Sequence, residues 1–393
     1  GEGTVAVGYE AGKAITTAER NTFVGRIAGT AIDTGNYNVA VGGSAIGTAT
    51  NALRNTAVGY NAMADVDDGD AVDGCVAVGY GALMGNASNT TAIDGTIAVG
   101  YNALTALTSG TQNVAIGYEA MAENTTGRRN IAIGYGAMDD SGGTNSADSD
   151  ENIFIGADSG GGDWSSGTDA KNEFNVCVGN ATMGAALSGA NHNTAVGYAA
   201  LNGVTTGDDN IGIGYNAGAA INTGSNNVIM GFECGDSMTS GSTNVAIGYS
   251  AMTASTDVDR GVFIGADAGA DGNMTDAADG TIAIGYASLK VLTSGAGNTA
   301  VGYQAGDAMT DSAENTIIGY GAFGAATTSV DSNTVIGHSA GASINHASAG
   351  GNVIVGNNAG TGGGAALIDN IVIGRSAMNS TAANAQTGTV AIG

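Results

Sequence analysis

Residues 113–121 read NVAIGYEAM, and residues 130–138 read NIAIGYGAM. Their common phrase, three apolar residues followed by glycine, recurs along the whole chain, so that its glycine occurs 22 times in 393 residues. Eleven of the 21 intervals between these glycines are 17 residues long, and the others range from 18 to 23 residues. A period this short, kept this long, indicates stacked coils of a solenoid. The repeat glycines include Gly8, Gly59, Gly117, Gly134, Gly197, Gly248 and Gly302.

The three apolar residues before each glycine predict a short β-strand. The residue just before the glycine is Val, Ile or Met in all 22 copies, and the residue three before it is Val, Ile or Thr. The residue between them is Ala in twelve copies and is never charged. Alternate side chains of a strand point to opposite faces, and here both faces are apolar. We therefore expect one face to fill the coil and the other to meet another subunit.

Two further positions of the repeat carry a structural expectation. Asparagine stands four residues before the glycine in 16 of the 22 copies, for example at Asn55, Asn113 and Asn130. Asparagine suits a corner that enters a strand, and stacked asparagines can form a hydrogen-bonded ladder. After the glycine we expect a second short strand that closes through Thr-Gly or Ser-Gly turns.

The composition narrows the class of protein. The chain has 36 acidic residues against ten Lys plus Arg, a net charge of −26, which argues against a nucleic-acid partner. The charge serves either solubility of a long β-surface or binding of cations and adaptation to salt. No apolar run approaches the roughly 20 residues of a membrane span, so we expect no membrane insertion. Cys75, Cys177 and Cys234 have no metal-site spacing and are interpreted as small buried packing residues.

The phrases at 55–63 (NTAVGYNAM), 113–121, 130–138 and 298–306 (NTAVGYQAG) resemble a known repeat. They are similar to the N-S-V-A-I-G-x-x-S repeat of the YadA-like head of trimeric autotransporter adhesins. They resemble more closely the NTAVGYNAL-type repeats of bacteriophage tail fibres, because the usual period is longer and Tyr often follows the glycine. The resemblance covers essentially the whole chain. It implies a left-handed parallel β-roll, three copies of which pack side by side as a homotrimer.

The expected architecture is an all-β solenoid of about 22 coils, a single repeat domain over residues 1–393 and a segment of a longer fibre protein. The resemblance implies a structural and host-attachment role for a phage tail fibre, located on the virion tail or outside the cell. Its partners would be a host cell-surface glycan or outer-membrane receptor and further segments of the fibre. The near alternative is a bacterial surface adhesin head.

Other classes of function remain as alternatives. An ice-binding solenoid would need a Thr array on every coil, whereas Thr occurs three residues before the glycine only in some coils, such as at Thr56, Thr194 and Thr299. A glycan-cleaving solenoid would need a carboxylate pair about 5–9.5 Å apart, which the sequence does not locate. No nucleophile triad can be assembled around the three histidines. We therefore expect no enzymatic activity.

Tyrosine follows the glycine in twelve coils, five of them successive. Rungs about 4.8 Å apart allow the rings to stack, which would stabilise the coil or a subunit boundary. The alternative is an aromatic track for carbohydrate. The five successive tyrosines are Tyr60, Tyr80, Tyr101, Tyr118 and Tyr135.

Two acidic clusters raise the question of calcium. Asp65, Asp67, Asp68 and Asp70 have spacings that could hold Ca²⁺, but the segment lacks the Glu at position twelve of an EF-hand loop. The other interpretation is a solvated acidic loop, and no other cofactor is expected. A weaker cluster of the same kind comprises Asp139, Asp140, Asp148, Asp150 and Glu151.

The longest interval, between Gly156 and Gly179, contains the only tryptophan, Trp164. Asp163 and Lys171 lie close to it in sequence. An exposed aromatic residue on a long loop predicts a receptor contact. The alternative interpretation is that Trp164 covers a local gap in the roll.

Overall fold

The structure is a computed structural model that describes residues 2–66, 72–85, 92–141, 149–164, 171–327, 329–361, 366–379 and 385–393. The chain forms two compact units, Gly1–Thr206 and Gly207–Gly393, which are described separately. Both units consist of the same coil, and positions in a coil are counted from its repeat glycine, which is position 0.

In the first unit each coil contributes one three-residue strand at positions −3 to −1. Consecutive strands pair in parallel and in register, so that Val114 lies beside Ile131, and Ile116 beside Ile133. The strands are β1 (Val5–Val7), β2 (Thr22–Val24), β3 (Val39–Val41), β4 (Thr56–Val58), β5 (Val76–Val78), β6 (Ile97–Val99), β7 (Val114–Ile116), β8 (Ile131–Ile133), β9 (Ile153–Ile155), β10 (Val176–Val178) and β11 (Thr194–Val196).

The second unit repeats this arrangement and adds two minor elements. Its main strands again pair in parallel with the strand of the next coil, and a 3-10 helix covers Asp276–Ala278. A two-residue strand at Leu367–Ile368 pairs in parallel with Gln386–Thr387. The predicted parallel β-solenoid is therefore confirmed. The strands are β12 (Ile211–Ile213), β13 (Val228–Met230), β14 (Val245–Ile247), β15 (Val262–Ile264), β16 (Ile282–Ile284), β17 (Thr299–Val301), β18 (Thr316–Ile318), β19 (Thr334–Ile336), β20 (Val353–Val355), β21 (Leu367–Ile368), β22 (Ile371–Ile373), β23 (Gln386–Thr387) and β24 (Val390–Ile392).

Each main strand ends at the repeat glycine because no other residue fits there. Gly117 has φ of 144°, and a Cβ atom at this position would overlap the carbonyl oxygen of Gly134 in the next coil. The amide of Gly134 in turn donates to the carbonyl of Ile116 at 2.8 Å. The backbones of successive coils are therefore packed too closely for any side chain at position 0.

The expected second strand is wrong for most of the described coils, and only the coils that follow Gly356 and Gly374 contain one, as β21 and β23. In the segment directly after the glycine the structure shows no strand among the described residues. The backbone there turns, because positions +2 and +4 are left-handed, as at Glu119 (φ 53°) and Met121 (φ 53°). Hydrogen bonds between coils still continue through these turns, for example from the amide of Glu119 to the carbonyl of Tyr101 at 2.9 Å. A third left-handed corner lies at position −5, as at Arg129 (φ 55°). Three such corners return the chain to the next strand.

Position −2 and position +4 fill the interior of the coil and compensate for each other in size. Glycine stands at +4 in six of the eight coils with Phe, Ile or Val at −2. Of the 13 coils with Ala or Cys at −2, twelve have a residue at +4, and it is Met, Leu or Ile in ten of them. The contacts explain this, since a Cβ at Gly269 would lie 2.6 Å from Cδ1 of Phe263. Phe263 and Gly269 are both buried, and the side chain of Phe263 has no contact with solvent.

Position −4 forms a buried asparagine ladder that joins the coils. In the second unit, Nδ2 of Asn227 donates to Oδ1 of Asn210 at 3.0 Å and to the carbonyl of Gly241 at 2.9 Å. Its own Oδ1 accepts from the amide of Asn244 at 2.9 Å. These bonds satisfy polar groups that have no access to water. The ladder is interrupted at Gly261, where a Cβ would lie 2.5 Å from the ring of Phe263.

The three cysteines are buried and unpaired. Burial raises the pKa of Cys75 and of Cys234 to about 12 and also raises the pKa of Cys177. These thiols pack in the coil and stay protonated at neutral pH, which makes them unreactive.

Candidate functional site

Alternate residues from −5 to +1 form one continuous surface, which we call the outer face. Apart from the first and last coils, positions −4 and −2 are buried inside the coil, whereas positions −5, −3, −1 and +1 are half-buried or exposed. In the coil of Gly117 these residues are Gln112, Val114, Ile116 and Tyr118. The outer face is thus four columns wide, with two β-branched columns in its centre and an aromatic column along one edge.

The outer face is apolar yet open to solvent. Ile116 in the first unit is 38% exposed, and Ile318 in the second is 40% exposed. The residues at −2 in the same strands, Ala115 and Ile317, are fully buried. A continuous row of half-exposed Val and Ile is unusual for a monomeric surface and is typical of an interaction surface.

The aromatic residues at position +1 stack along the coil axis of each unit. Tyr60, Tyr80, Tyr101, Tyr118 and Tyr135 form one stack, with ring centroids 5.0–5.5 Å apart. In the second unit Tyr215, Phe232 and Tyr249 form a stack at 5.1–5.5 Å, and another begins at Tyr286. The rings stay exposed at their edges, with Tyr101 43% exposed. Glu119 beside Tyr118 raises the pKa of that phenol.

Replacing Tyr101 by alanine is expected to lower stability by about 1–3 kcal/mol, because it removes two stacking contacts worth about 0.5–1.5 kcal/mol each. Tyr101→Phe keeps the aromatic ring and therefore both stacking contacts, so it should leave stability nearly unchanged. Thermal unfolding of the three proteins measures the difference. Equal melting temperatures for wild type and Tyr101→Ala would show that the stack is not a stabilising element.

Position −5, at the other edge of the outer face, carries most of the arginines. Nε of Arg54 donates to Oδ1 of Asp73 in the next coil at 2.8 Å, and Nη2 of Arg260 lies 2.8 Å from Oδ2 of Asp279. The hydrogen bond from Arg54 lowers the pKa of Asp73. These pairs are exposed and contribute little to stability, but they hold the acidic side chains in fixed positions.

The second acidic cluster is divided by the structure. Asp150 accepts from the backbone amide of Arg128 at 2.7 Å and pairs with its Nη2 at 2.8 Å, and Glu151 pairs with Arg129. Asp139 and Asp140 instead line a groove of about 440 Å³ with Glu119 and Glu123. Asp148 lies outside the described residues.

Crowding in this groove favours protonated carboxyl groups. A hydrogen bond with Asp140 raises the pKa of Glu123, and burial raises the pKa of Asp139. Oδ1 of Asp139 is buried and has no hydrogen-bond partner among the described residues.

Replacing Asp139 by asparagine is expected to raise the melting temperature at pH 7 by about 1–3 °C. The pKa of Asp139 is raised in the folded chain, so folding is penalised above that pKa, and stability is recovered as the pH falls toward the unfolded value of about 3.9. The difference between variant and wild type should therefore disappear near pH 4.

The matched control for this prediction is Asp150→Asn. Asp150 is only 5% exposed and accepts three hydrogen bonds from Arg128, so its replacement should lower the melting temperature at pH 7. A lower melting temperature of Asp139→Asn at pH 7 would contradict the prediction.

Trp164 lies inside the coil. It is 1% exposed, its ring centroid is 5.8 Å from that of Phe154, and its backbone amide donates to the carbonyl of Asp140 at 3.2 Å. The indole is therefore not on the surface, which does not fit the receptor-contact interpretation. Asp163 and Lys171 are exposed, and Nζ of Lys171 lies 3.8 Å from Oε1 of Glu173. The structure does not gather these three residues into one surface site.

The proposed calcium loop is only partly described. Asp67, Asp68 and Asp70 lie outside the described residues, and the backbone amide of Asp65 donates to the carbonyl of Met84 at 2.8 Å. Among the residues that the structure describes, no three His, Cys, Asp or Glu side chains are arranged to hold a metal ion.

The outer face could be predicted from the sequence, because the three residues before each glycine are apolar on both faces of the strand. The groove between Asp139 and Glu123 was not predicted, because its acidic residues come from two different coils, those of Gly117 and Gly134, and are not adjacent in sequence. Within the described ranges, no helix has the length and apolarity needed to cross a bilayer. Neither a protein-family model nor a curated protein matches this chain.

Proposed function

We propose that this chain folds as a left-handed β-roll and assembles in parallel, side by side, as a homotrimer that forms part of an attachment fibre. The observation that carries the proposal is the outer face, whose central columns consist mainly of Val and Ile and are exposed by up to about 40% at inner coils such as those of Ile116 and Ile318. Burying these columns between copies would remove them from water at about 25 cal/mol per Å².

The trimer number, the handedness and the fibre role rest on the resemblance to YadA-like heads and phage tail-fibre repeats. A repetitive trimer presents three copies of each loop, so weak contacts with a cell surface gain avidity. The ligand class we propose is a host cell-surface glycan or an outer-membrane receptor, and the location is the virion tail or the extracellular space. A bacterial surface adhesin is the second candidate, because the same repeat phrase occurs in adhesin heads.

Sedimentation equilibrium of the purified chain tests the assembly. We expect a mass three times the 37.9 kDa of one chain. Ile116→Lys, which places a charge in the outer face, should weaken the trimer, whereas Ala14→Lys, at an exposed position away from that face, should not. A folded wild-type monomer in dilute buffer would overturn the proposal.

Binding of the labelled trimer to intact bacterial cells tests the attachment role. We expect saturable binding to susceptible strains and competition by the extracted surface glycan or outer-membrane fraction. A trimer that binds no strain of a broad panel would leave a purely structural role and contradict the attachment function.

A further inference from the structure

We infer that, in the assembled protein, the residue at position +1 of each coil packs against the residue at position −5 of the same coil in a neighbouring copy. This inference rests on the proposed parallel assembly and adds its contact pattern. This contact joins one edge of the outer face to the opposite edge in the neighbouring copy. It also keeps equivalent coils of the copies at the same height along the coil axis.

The choice of residue at position −5 is not dictated by the chain itself. The backbone there is left-handed whatever the residue, as at Arg54 (φ 56°), Phe174 (φ 59°) and Gly280 (φ 69°). A Cβ at Gly74, Gly280 or Gly297 would meet nothing within 4 Å. Packing within one chain therefore does not require glycine at these coils, and other coils carry larger residues with the same left-handed backbone.

The residues at −5 and +1 nevertheless compensate for each other in size. Of the six glycines at −5 with a residue at +1 in the same coil, five accompany a tyrosine, as Gly74 accompanies Tyr80. Seven coils lack an aromatic residue at +1, and six of these carry a charged or aromatic side chain at −5, compared with five of the other 14 coils. The three smallest residues at +1 show the pattern in the pairs Gly43 with Tyr37, Ala157 with Glu151, and Ala266 with Arg260.

The same kind of compensation inside the coil has a visible cause. Position −2 and position +4 touch, as the overlap of a Cβ at Gly269 with Phe263 demonstrates. Positions −5 and +1 cannot touch within one chain, because they lie at opposite edges of the outer face with the three-residue strand between them. Six residues of near-extended chain separate them by roughly 15–20 Å. Their compensation therefore points to contact between copies.

A cyclic parallel assembly supplies this contact. In such a ring each interface joins one edge of a subunit to the opposite edge of the next subunit. All coils then keep the same height, so position +1 meets position −5 of the same coil. A two-fold antiparallel dimer would pair coils from opposite ends of the chain and would lose the same-coil matching.

The coil of Gly25 is one of several that do not follow the size pattern. Arg20 and Arg26 occupy both positions of the coil of Gly25. Each guanidinium lies over a ring of its own chain, Arg20 over Tyr37 at 5.4 Å and Arg26 over Tyr9 at 6.0 Å. These rings draw the two charges toward neighbouring coils, which reduces their repulsion across the boundary.

Disulfide trapping in the full chain tests the contact. The same-coil pair is Ala266→Cys with Arg260→Cys, and the shifted controls combine Ala266→Cys with Thr243→Cys or with Gly280→Cys. The native cysteines are buried and protonated, so they do not compete. A shift of one coil displaces the two Cα atoms by about 4.8 Å along the coil axis. A disulfide does not bridge Cα atoms that lie more than about 7 Å apart. We expect the same-coil pair to form covalent oligomers at least about fivefold faster than either control.

Ala157→Cys with Glu151→Cys repeats the test in the first unit and serves if the first pair folds poorly. Faster cross-linking of a shifted pair would overturn the same-coil register. Absence of intermolecular cross-links in both same-coil pairs, in proteins that sediment as trimers, would overturn the edge-to-edge contact and leave the proposed trimer intact. A wild-type monomer would overturn the trimer as well.

Discussion

Replacing Gly117 by alanine is expected to cost about 3–5 kcal/mol of stability, which is among the largest effects of a single methyl group. The added Cβ would overlap the carbonyl oxygen of Gly134 and lie 2.6 Å from its carbonyl carbon. Neither atom can move without breaking the hydrogen bond from the amide of Gly134 to Ile116. The backbone of the two coils must therefore separate, and the solenoid loses pairing on both sides of the substitution.

Gly74→Ala is the matched control for this prediction. Gly74 also has a positive φ, 68°, but a Cβ there meets nothing within 4 Å, so only the left-handed backbone costs energy, about 1–2 kcal/mol. Denaturant unfolding of both variants measures the difference, and hydrogen exchange at Gly134 should accelerate only in Gly117→Ala. Equal losses in the two variants would show that close approach of the coils is not the reason for the glycine.

The strand phrase and its glycine could be predicted because they repeat without exception. Every copy places a β-branched residue at −3, and all copies but that of Met230 place one at −1, so the pattern identifies the strand, its two apolar faces and its end at residues such as Gly117. The buried asparagine ladder follows from the same regularity, since Asn113 and Asn130 stand at the same position of successive coils. A short motif predicts little when it occurs once, but its recurrence at a fixed period identifies equivalent positions in stacked coils.

The turns after the glycine could not be predicted because their conformation leaves little trace in residue type. Left-handed backbone favours Gly or Asn, yet the structure places Glu119 and Met121 there. Hydrogen bonds to neighbouring coils and burial of the Met side chain outweigh the local cost. The expectation of a second strand therefore failed where tertiary packing overrides intrinsic preference.

The candidate sites were harder to predict because they occur once. Trp164 has no counterpart in other coils, so its burial against Phe154 could not be inferred from a column of equivalent residues. The pairs of Arg128 with Asp150 and Arg129 with Glu151 join equivalent positions of adjacent coils, which become visible only when the long interval between Gly134 and Gly156 is aligned on its glycines. A charge cluster in sequence is therefore a poor guide to which charges meet.

Exchanging the sizes of Phe263 and Gly269 is expected to reveal strong coupling between them. Phe263→Ala alone should cost about 3–5 kcal/mol, because it leaves a cavity at a fully buried ring. Gly269→Met alone should also destabilise the fold, since its Cβ would lie 2.6 Å from Cδ1 of Phe263. The double variant has the same pair as the preceding coil, Ala246 with Met252, where Met252 is left-handed and buried.

The double variant is therefore expected to lie within about 1–2 kcal/mol of the wild type, a recovery of several kcal/mol relative to the sum of the single losses. Denaturant unfolding of the four proteins gives the coupling energy directly. Gly280→Ala, at an open position of the next coil, combined with Phe263→Ala serves as the additive control. If the losses of Phe263→Ala and Gly269→Met simply added, the reciprocal sizes at −2 and +4 would have no energetic basis. Strong coupling inside the coil would show that reciprocal sizes in this fold reflect side-chain contact, which is the basis on which positions −5 and +1 are inferred to meet between copies.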